Sequence, residues 1–159
     1  MKLATLASAL VLITLFSESA ASAAESSSAP SVARADVTAT ARNFSKIYSS
    51  DGMYGVISES QNCYRQFSQQ PSWKILDRCM TLDYIARDFD QRYIEAIGGS
   101  FEVTAAYFRA EPSHLRWARG AKRLGGSPDL LASHVERIMQ LIPWKEVMPQ
   151  RDLRQHRRD

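Results

Sequence analysis

Residues 56–97, VISESQNCYRQFSQQPSWKILDRCMTLDYIARDFDQRYIEAI, decide the fold of this chain. Apolar residues recur every three or four positions on both sides of a break at Pro71, which is the spacing of amphipathic helices. Ser72 is a residue type that caps helices, so we expect the second helix to run over 73–97. Its apolar stripe comprises Ile75, Leu76, Cys79, Leu82, Ile85, Ala86, Phe89, Tyr93 and Ile97. The stretch therefore predicts a helical hairpin.

The two cysteines of the chain lie on the two apolar stripes of this hairpin. Cys63 and Cys79 stand at equal distances from Pro71, so the predicted turn falls midway between them. Their spacing is not that of a CxxC redox motif, and two cysteines alone cannot build a tetrahedral zinc site. In an oxidising compartment we expect a Cys63–Cys79 disulfide that pins the hairpin, the alternative being two buried free thiols.

The first residues have the three-part layout of a cleaved secretion signal. Lys2 supplies a positive charge, residues 6–16 form an apolar core, and Ala21-Ser22-Ala23 is an A-x-A cleavage site. The apolar core is shorter than the roughly 20 residues that a membrane-spanning helix needs. We therefore predict a signal peptide over 1–23 and a periplasmic or secreted protein with no transmembrane segment after cleavage.

The rest of the chain fits one domain with helical patterns throughout. We predict a flexible lead-in over 24–35, a single all-α domain over 36–148 and a basic tail over 149–159. Helices besides the hairpin are expected over 36–48, 100–111, 112–124 and 128–142, with Ser127 capping the last one and Pro143 ending it. The predicted fold class is a small all-α bundle of about five to six helices around the hairpin.

The second hairpin helix carries five carboxylates: Asp77, Asp83, Asp88, Asp90 and Glu95. Paired carboxylates can divide acid and base roles when their environments push their pKa values apart. However, Asp83 stands four residues before Arg87, and Asp88 stands four residues before Arg92, which is the usual arrangement of ion pairs on a solvated helix face. The spacing favours such a solvated face over a catalytic site.

The histidines do not form a recognisable metal or catalytic motif. Glu111-x-x-His114 has the spacing of one half of a di-iron site, but a second copy is absent and Pro112 interrupts it. His134 lies on the apolar side of its predicted helix, which is typical of a hydrogen-bonded core residue. The chain has no G-x-S-x-G motif and no glycine-rich phosphate loop. We expect no metal, no cofactor and no catalytic residue.

Charge is distributed unevenly along the chain. Residues 25–108 contain 8 basic and 10 acidic side chains, a net charge of −2, whereas residues 109–159 contain 11 basic and 6 acidic ones, a net charge of +5. On the predicted 112–124 helix, a candidate binding patch comprises Arg116, Trp117, Arg119 and Arg123. Arginine forms paired hydrogen bonds to carboxylates and phosphates, so the expected partner is an acidic protein or an anionic envelope polymer. Nucleic acid is not expected as a partner of an exported protein, and a merely solvated basic face is the alternative.

Residues 63–93 resemble the LprI-like lysozyme-inhibitor families of secreted bacterial proteins. The matching positions are Cys63, Cys79, Leu82-Asp83, Asp88, Phe89-Asp90 and Tyr93, on a helical hairpin with a cysteine in each arm. The resemblance implies a secreted protein with a binding or inhibitory role.

These observations lead to one expected function and two alternatives. We expect a small exported all-α binding or inhibitory module of the bacterial cell envelope, without enzymatic activity. An envelope hydrolase that uses Asp83, Asp88 and Asp90, with His114 as a further candidate, is the first alternative. A purely structural envelope component is the second.

Overall fold

The computed structural model describes residues 31–97 and 103–147, and within them every regular element is an α-helix. The helices are α1 (Arg34–Gln69), α2 (Trp73–Ile97), α3 (Val103–Phe108), α4 (Ala110–Arg123), α5 (Pro128–Leu141) and α6 (Trp144–Val147). The all-α prediction is confirmed. The predicted starting residue of the 100–111 helix, Ser100, lies outside the described residues. So do the whole predicted signal segment, most of the lead-in and the basic tail.

The helical hairpin is formed by α1 and α2, and its turn lies where the sequence predicts it. The first arm ends at Gln69, and the N–H of Gln70 donates to the carbonyl of Gln66 at 2.9 Å. The hydroxyl of Ser72 accepts a hydrogen bond from the N–H of Ile75 at 3.3 Å, which caps the second arm. Both the break and the cap are therefore confirmed.

A disulfide joins the two arms of the hairpin. Cys63 and Cys79 are bonded with an S–S distance of 2.05 Å and a Cα–Cα distance of 5.6 Å, and both residues are buried. The predicted bridge is confirmed. Disulfides are typical of proteins that fold in oxidising compartments, so the bond favours a location outside the cytoplasm.

The first arm of the hairpin, α1, joins two predicted helices into one and is kinked where they meet. Residues 34–69 follow a single helical path except at Gly52, whose φ of 61° and ψ of −159° are not helical. This backbone conformation is essentially restricted to glycine. Gly52 therefore divides α1 into a first part, which includes the predicted 36–48 helix, and a second part, which carries Cys63.

Helices α3, α4 and α5 pack against α2, which becomes the centre of the molecule. α4 packs closely on α2 at Gly120, where a Cβ atom would lie 2.6 Å from Cδ1 of Leu76. α4 begins at Ala110, slightly before the predicted start, because Pro112 is tolerated in a first helical turn. The hydroxyl of Ser127 caps α5 by accepting from the N–H of Leu130 at 3.1 Å, as predicted.

The C-terminal end of the described domain lies against the first part of α1. α6, which the sequence patterns do not predict, follows Pro143 and packs on α1. Arg42 Nε is 2.8 Å from Glu146 Oε2, and the Ser45 hydroxyl donates to the Glu146 carbonyl at 3.1 Å. At the other end, Val32 is already buried in the core, so packing begins before the first helical residue. No helix among the described residues is both long and apolar enough to span a lipid bilayer.

Candidate functional site

A polar cluster lies where α1, α2, α3 and α4 meet, and the buried Asp83 is at its centre. Asp83 has no exposed surface. Its Oδ1 accepts from the Ser60 hydroxyl at 2.6 Å. Its Oδ2 accepts from the Tyr64 hydroxyl at 2.9 Å, Arg116 Nη2 at 2.9 Å, Arg116 Nε at 3.2 Å and Trp117 Nε1 at 3.2 Å. We call Ser60, Tyr64, Asp83, Tyr107, Arg116 and Trp117 the Asp83 cluster.

The position of Asp83 corrects the sequence interpretation of this residue. Its spacing to Arg87 predicted an exposed ion pair, but its carboxylate is paired with Arg116 from another helix. The reason is that α2 is covered by α1 on one side and by α4 on another, so even its polar positions become buried. Apart from the half-buried Tyr84, residues 79–86 are all buried. A single-helix pattern cannot reveal this, because it treats the polar face as solvent-facing.

The phenol groups of the Asp83 cluster are held in their neutral form. Burial raises the pKa of Tyr64 well above 10.0, and the nearby Asp83 carboxylate raises it further. Burial also raises the pKa of Tyr107, whose hydroxyl lies 3.2 Å from the Ser60 hydroxyl. Both phenols therefore keep the protons that these contacts use.

Arg116 and Trp117, two of the four predicted patch residues, point into the molecule. The guanidinium carbon of Arg116 lies 4.2 Å from the ring centre of Tyr107 and 5.6 Å from that of Tyr64. Burial alone would lower the pKa of Arg116, but the Asp83 carboxylate raises it, so the arginine remains charged. Trp117 is buried with its indole N–H directed at Asp83. These two side chains hold α4 against α2 and are not part of an exposed patch.

The other two predicted patch residues, Arg119 and Arg123, are exposed together with Lys122. The guanidinium of Arg123 donates to the Ser68 carbonyl of α1 at 3.0 Å, which is a contact with a neutral group. Within the described part of the chain, no carboxylate forms an ion pair with any of these three cations. Leu115, with 48% of its surface exposed, lies on the same helix. We call Leu115, Arg119, Lys122 and Arg123 the α4 outer face.

The carboxylates of the hydrolase alternative occupy three different environments. Asp83 is sealed in its cluster, and each of its oxygens already accepts hydrogen bonds. Asp88 forms the predicted ion pair with Arg92, with Oδ2 and Nε 2.6 Å apart. Asp90 is half-buried, and burial raises its pKa. Asp83 therefore has a structural role, because both of its carboxylate oxygens already accept hydrogen bonds from other side chains of the protein.

His114, the further candidate of that alternative, lies on the surface of α4 beside Arg87. Its Nε2 is 3.2 Å from Arg87 Nη1, and its ring centre is 5.0 Å from that of Trp117. Burial and the positive charge of Arg87 both lower the pKa of His114. His114 and the half-buried Arg87 therefore form a contact between an imidazole and a guanidinium rather than an acid–base pair.

His134 is a buried core residue, as its position on the apolar side of its helix predicted. Its Nδ1 lies 2.7 Å from Asp77 Oδ1, and its ring stacks on Trp73 with centres 4.2 Å apart. Burial raises the pKa of Asp77, although the contact with His134 opposes this effect.

Asp77 also lines a cavity of about 260 Å³ with Asp36, Lys74 and Arg78. Two acids and two bases line this cavity, so their formal charges balance.

No protein-family model, curated protein or solved structure matches the chain. Among the described residues, no group of three or more His, Cys, Asp and Glu side chains is placed to hold a metal ion.

Proposed function

We propose that the protein is a small exported binding or inhibitory module of the bacterial cell envelope, without enzymatic activity, and that its α4 outer face holds an anionic partner. One observation carries the proposal. Arg119, Lys122 and Arg123 are exposed and have no acidic partner among the described residues, whereas the charge of the inward Arg116 is neutralised by Asp83. Unpaired cations on one surface attract anionic partners and accelerate their association.

The scaffold behind this surface supports a binding role. The Asp83 cluster fastens α4 to the hairpin, and the Cys63–Cys79 disulfide fastens the two arms of the hairpin to each other. A rigid surface loses less conformational entropy on association than a flexible one. The chain therefore presents the α4 outer face in a preorganised form.

Export is supported by two independent features. Residues 1–23 have the pattern of a cleaved signal peptide, and the disulfide is typical of an oxidising compartment. The resemblance of residues 63–93 to secreted inhibitors agrees with this location and favours a protein partner over a polymer. Mass spectrometry of the protein from the periplasm or medium should give a chain that begins at Ala24. An intact leader on the exported protein would contradict this part of the proposal.

The binding proposal is tested by reversing charges on the α4 outer face. The variant R119E/K122E/R123E changes three exposed cations, and R34E/K46E/R137E is a matched control with three exposed cations elsewhere. Each immobilised protein is incubated with envelope extract, and bound material is eluted with a salt gradient. We expect the wild type and the control to retain the same anionic component, which elutes as salt rises, and the α4 variant to lose it. Equal retention by all three proteins would contradict the proposal.

A further inference from the structure

Arg87 is a half-buried cation that lacks an acidic partner within the described part of the chain. Its guanidinium carbon lies 4.9 Å from the ring centre of Tyr84 and 5.7 Å from that of Trp117. Its one hydrogen-bond contact there is with the ring of His114, through Nη1. A guanidinium has five N–H donors in a planar fork, and the other donors of Arg87 have no hydrogen-bond partner among the described residues.

The missing partner has a structural origin. Asp83 is spaced to pair with Arg87 along α2, but Arg116 of α4 takes that carboxylate into the Asp83 cluster. The next acid, Asp88, is paired with Arg92. Packing of α4 on α2 thus removes the local acid and leaves Arg87 stacked on aromatic rings.

The surroundings of Arg87 orient its guanidinium before any ligand arrives. Contacts with aromatic faces hold a guanidinium plane without neutralising its charge. The imidazole of His114 lies at the same place, with its Nε2 3.2 Å from Arg87 Nη1. Glu111, one turn earlier on α4, is exposed and makes no ion pair with either residue in the described part of the chain. The arrangement is an oriented cation with a titratable neighbour.

We propose that Arg87 and His114, flanked by Tyr84 and Trp117, form an anchor site for a carboxylate side chain of a protein partner. The planar fork of Arg87 accepts a carboxylate through two parallel hydrogen bonds. His114, once protonated, donates a further hydrogen bond to the same carboxylate. This inference rests on the proposed binding function and deepens it by naming the group that the partner inserts.

The composition of the neighbouring surface favours a protein as the source of the carboxylate. Tyr84 lies next to the half-buried Trp144, with ring centres 6.4 Å apart, and the guanidinium of Arg92 lies 5.3 Å from the Trp144 ring. Arginine, tyrosine and tryptophan are the residue types that dominate binding energy at protein–protein interfaces. Such a surface buries the apolar groups around an acidic side chain as well as the carboxylate itself.

The test uses the full exported protein and a short peptide as the probe. The peptide has blocked termini and two glutamates among neutral residues, and its analogue has glutamines at the same positions. NMR follows the Nε–H signal of Arg87 and the ring protons of His114 during titration. We expect saturable shifts of both signals and a raised pKa of His114 with the glutamate peptide, because a nearby anion favours the charged imidazole. Neither change is expected with the glutamine peptide.

Two variants and two competing ligands make the outcome decisive. Arg87→Lys keeps the charge but loses the fork, and we expect it to weaken peptide binding about tenfold. Arg137→Gln, at an exposed site on α5, should bind like the wild type. Unchanged affinity in Arg87→Lys would overturn the proposal. So would saturation of the site by oligogalacturonate or inorganic phosphate without binding of the glutamate peptide. The wild-type shift of the His114 pKa tests the site even if a variant at Arg87 fails to fold.

The R119E/K122E/R123E variant separates this site from the proposed function. It should retain the peptide-induced shifts at Arg87 while losing the envelope partner. If the wild type captures the envelope partner but shows no peptide-induced shifts at Arg87, the anchor site is wrong and the binding role of the α4 outer face is unaffected. Peptide shifts without any captured partner would support the anchor and count against the proposed function.

Discussion

At the scale of single residues, the buried carboxylate of Asp83 is the centre of the polar contacts that join the helices. A carboxylate with no exposed surface is tolerated because Arg116, Tyr64, Trp117 and Ser60 all donate to it. Burying a charge costs free energy unless it is paired and hydrogen-bonded, so these donors and the carboxylate depend on each other. Within the described residues, every buried side-chain nitrogen and oxygen has a partner.

Replacement of Asp83 by asparagine should destabilise the protein strongly. An amide cannot neutralise the buried part of Arg116, so we expect the free energy of unfolding to fall by about 3–5 kcal/mol. The matched control is Asp88→Asn, which removes an exposed ion pair and should cost less than about 1 kcal/mol. Urea unfolding monitored by circular dichroism measures both. Equal costs for the two variants would show that the Asp83 cluster is not a stabilising element.

The half-buried phenols of Tyr64 and Tyr107 predict a loss of stability at high pH. Burial raises the pKa values of Tyr64 and Tyr107 above the ordinary value of 10.0 in the folded protein. The folded state therefore favours the protonated phenols, and their contribution is complete below that pH and is lost as pH rises through the raised values. Tyrosinate absorbance should show phenols that ionise late or only on unfolding. Tyr64→Phe should remove part of this late component, and a profile unaffected by it would contradict the assignment.

At the scale of elements, α2 is the central helix, and α1 packs along it with a kink at Gly52. The two parts of α1 meet at Gly52, whose backbone conformation is outside the helical region. The bend lets one chain segment carry both Phe44 and Cys63 in the core. Local pattern alone predicts two separate helices here, because a glycine in a helical pattern is read as a break.

Replacement of Gly52 by alanine tests the kink. A Cβ atom at this position would meet no other atom within 4 Å, so the cost arises from the backbone alone. We expect a loss of roughly 1–3 kcal/mol in the free energy of unfolding, the usual cost of a residue held in a glycine conformation. Ser58→Ala, at an exposed position on the same helix, is the control and should be nearly neutral. If Gly52→Ala is equally neutral, α1 does not require this conformation.

At the scale of the whole molecule, the disulfide and the Asp83 cluster hold the same hairpin in different ways. The disulfide restricts the unfolded chain by closing a short loop, whereas the cluster stabilises the packed state by joining α4 to both arms. The surface that we propose for binding therefore depends on α4 remaining docked. Loss of either element should lower stability, but of the two only the cluster includes residues of α4.

Removal of the disulfide should destabilise the protein without changing its fold. The bridged cysteines are 16 residues apart, and closing a loop of that size contributes about 3 kcal/mol in the chain-entropy model. The double variant C63S/C79S should show this loss in urea unfolding and keep its helical circular dichroism spectrum. Reductant should shift the wild type towards the variant and leave the variant unchanged. A wild type that is insensitive to reductant would contradict the role of the bridge.

The amino-acid sequence by itself determined the features that depend on neighbouring residues. The break at Pro71, the cap at Ser72, the 73–97 helix and the cysteine pairing follow from helical spacing, capping chemistry and a short loop. The Asp88–Arg92 pair and the core position of His134 were predicted for the same reason. Each of these features needs only contacts within one helix or across one turn, or the apolar environment of a single stripe.

Only the tertiary structure decided which polar residues are buried and which remain available. Helical periodicity shows that Asp83 and Arg116 are each on a helix, but not that α4 covers α2 at that point. Their contact joins residues 33 positions apart, and it takes Arg116 out of the predicted patch. The same contact leaves Arg87 without the acid that its spacing predicted. The physical reason is that burial depends on which helices pack together, and packing is a property of the whole chain.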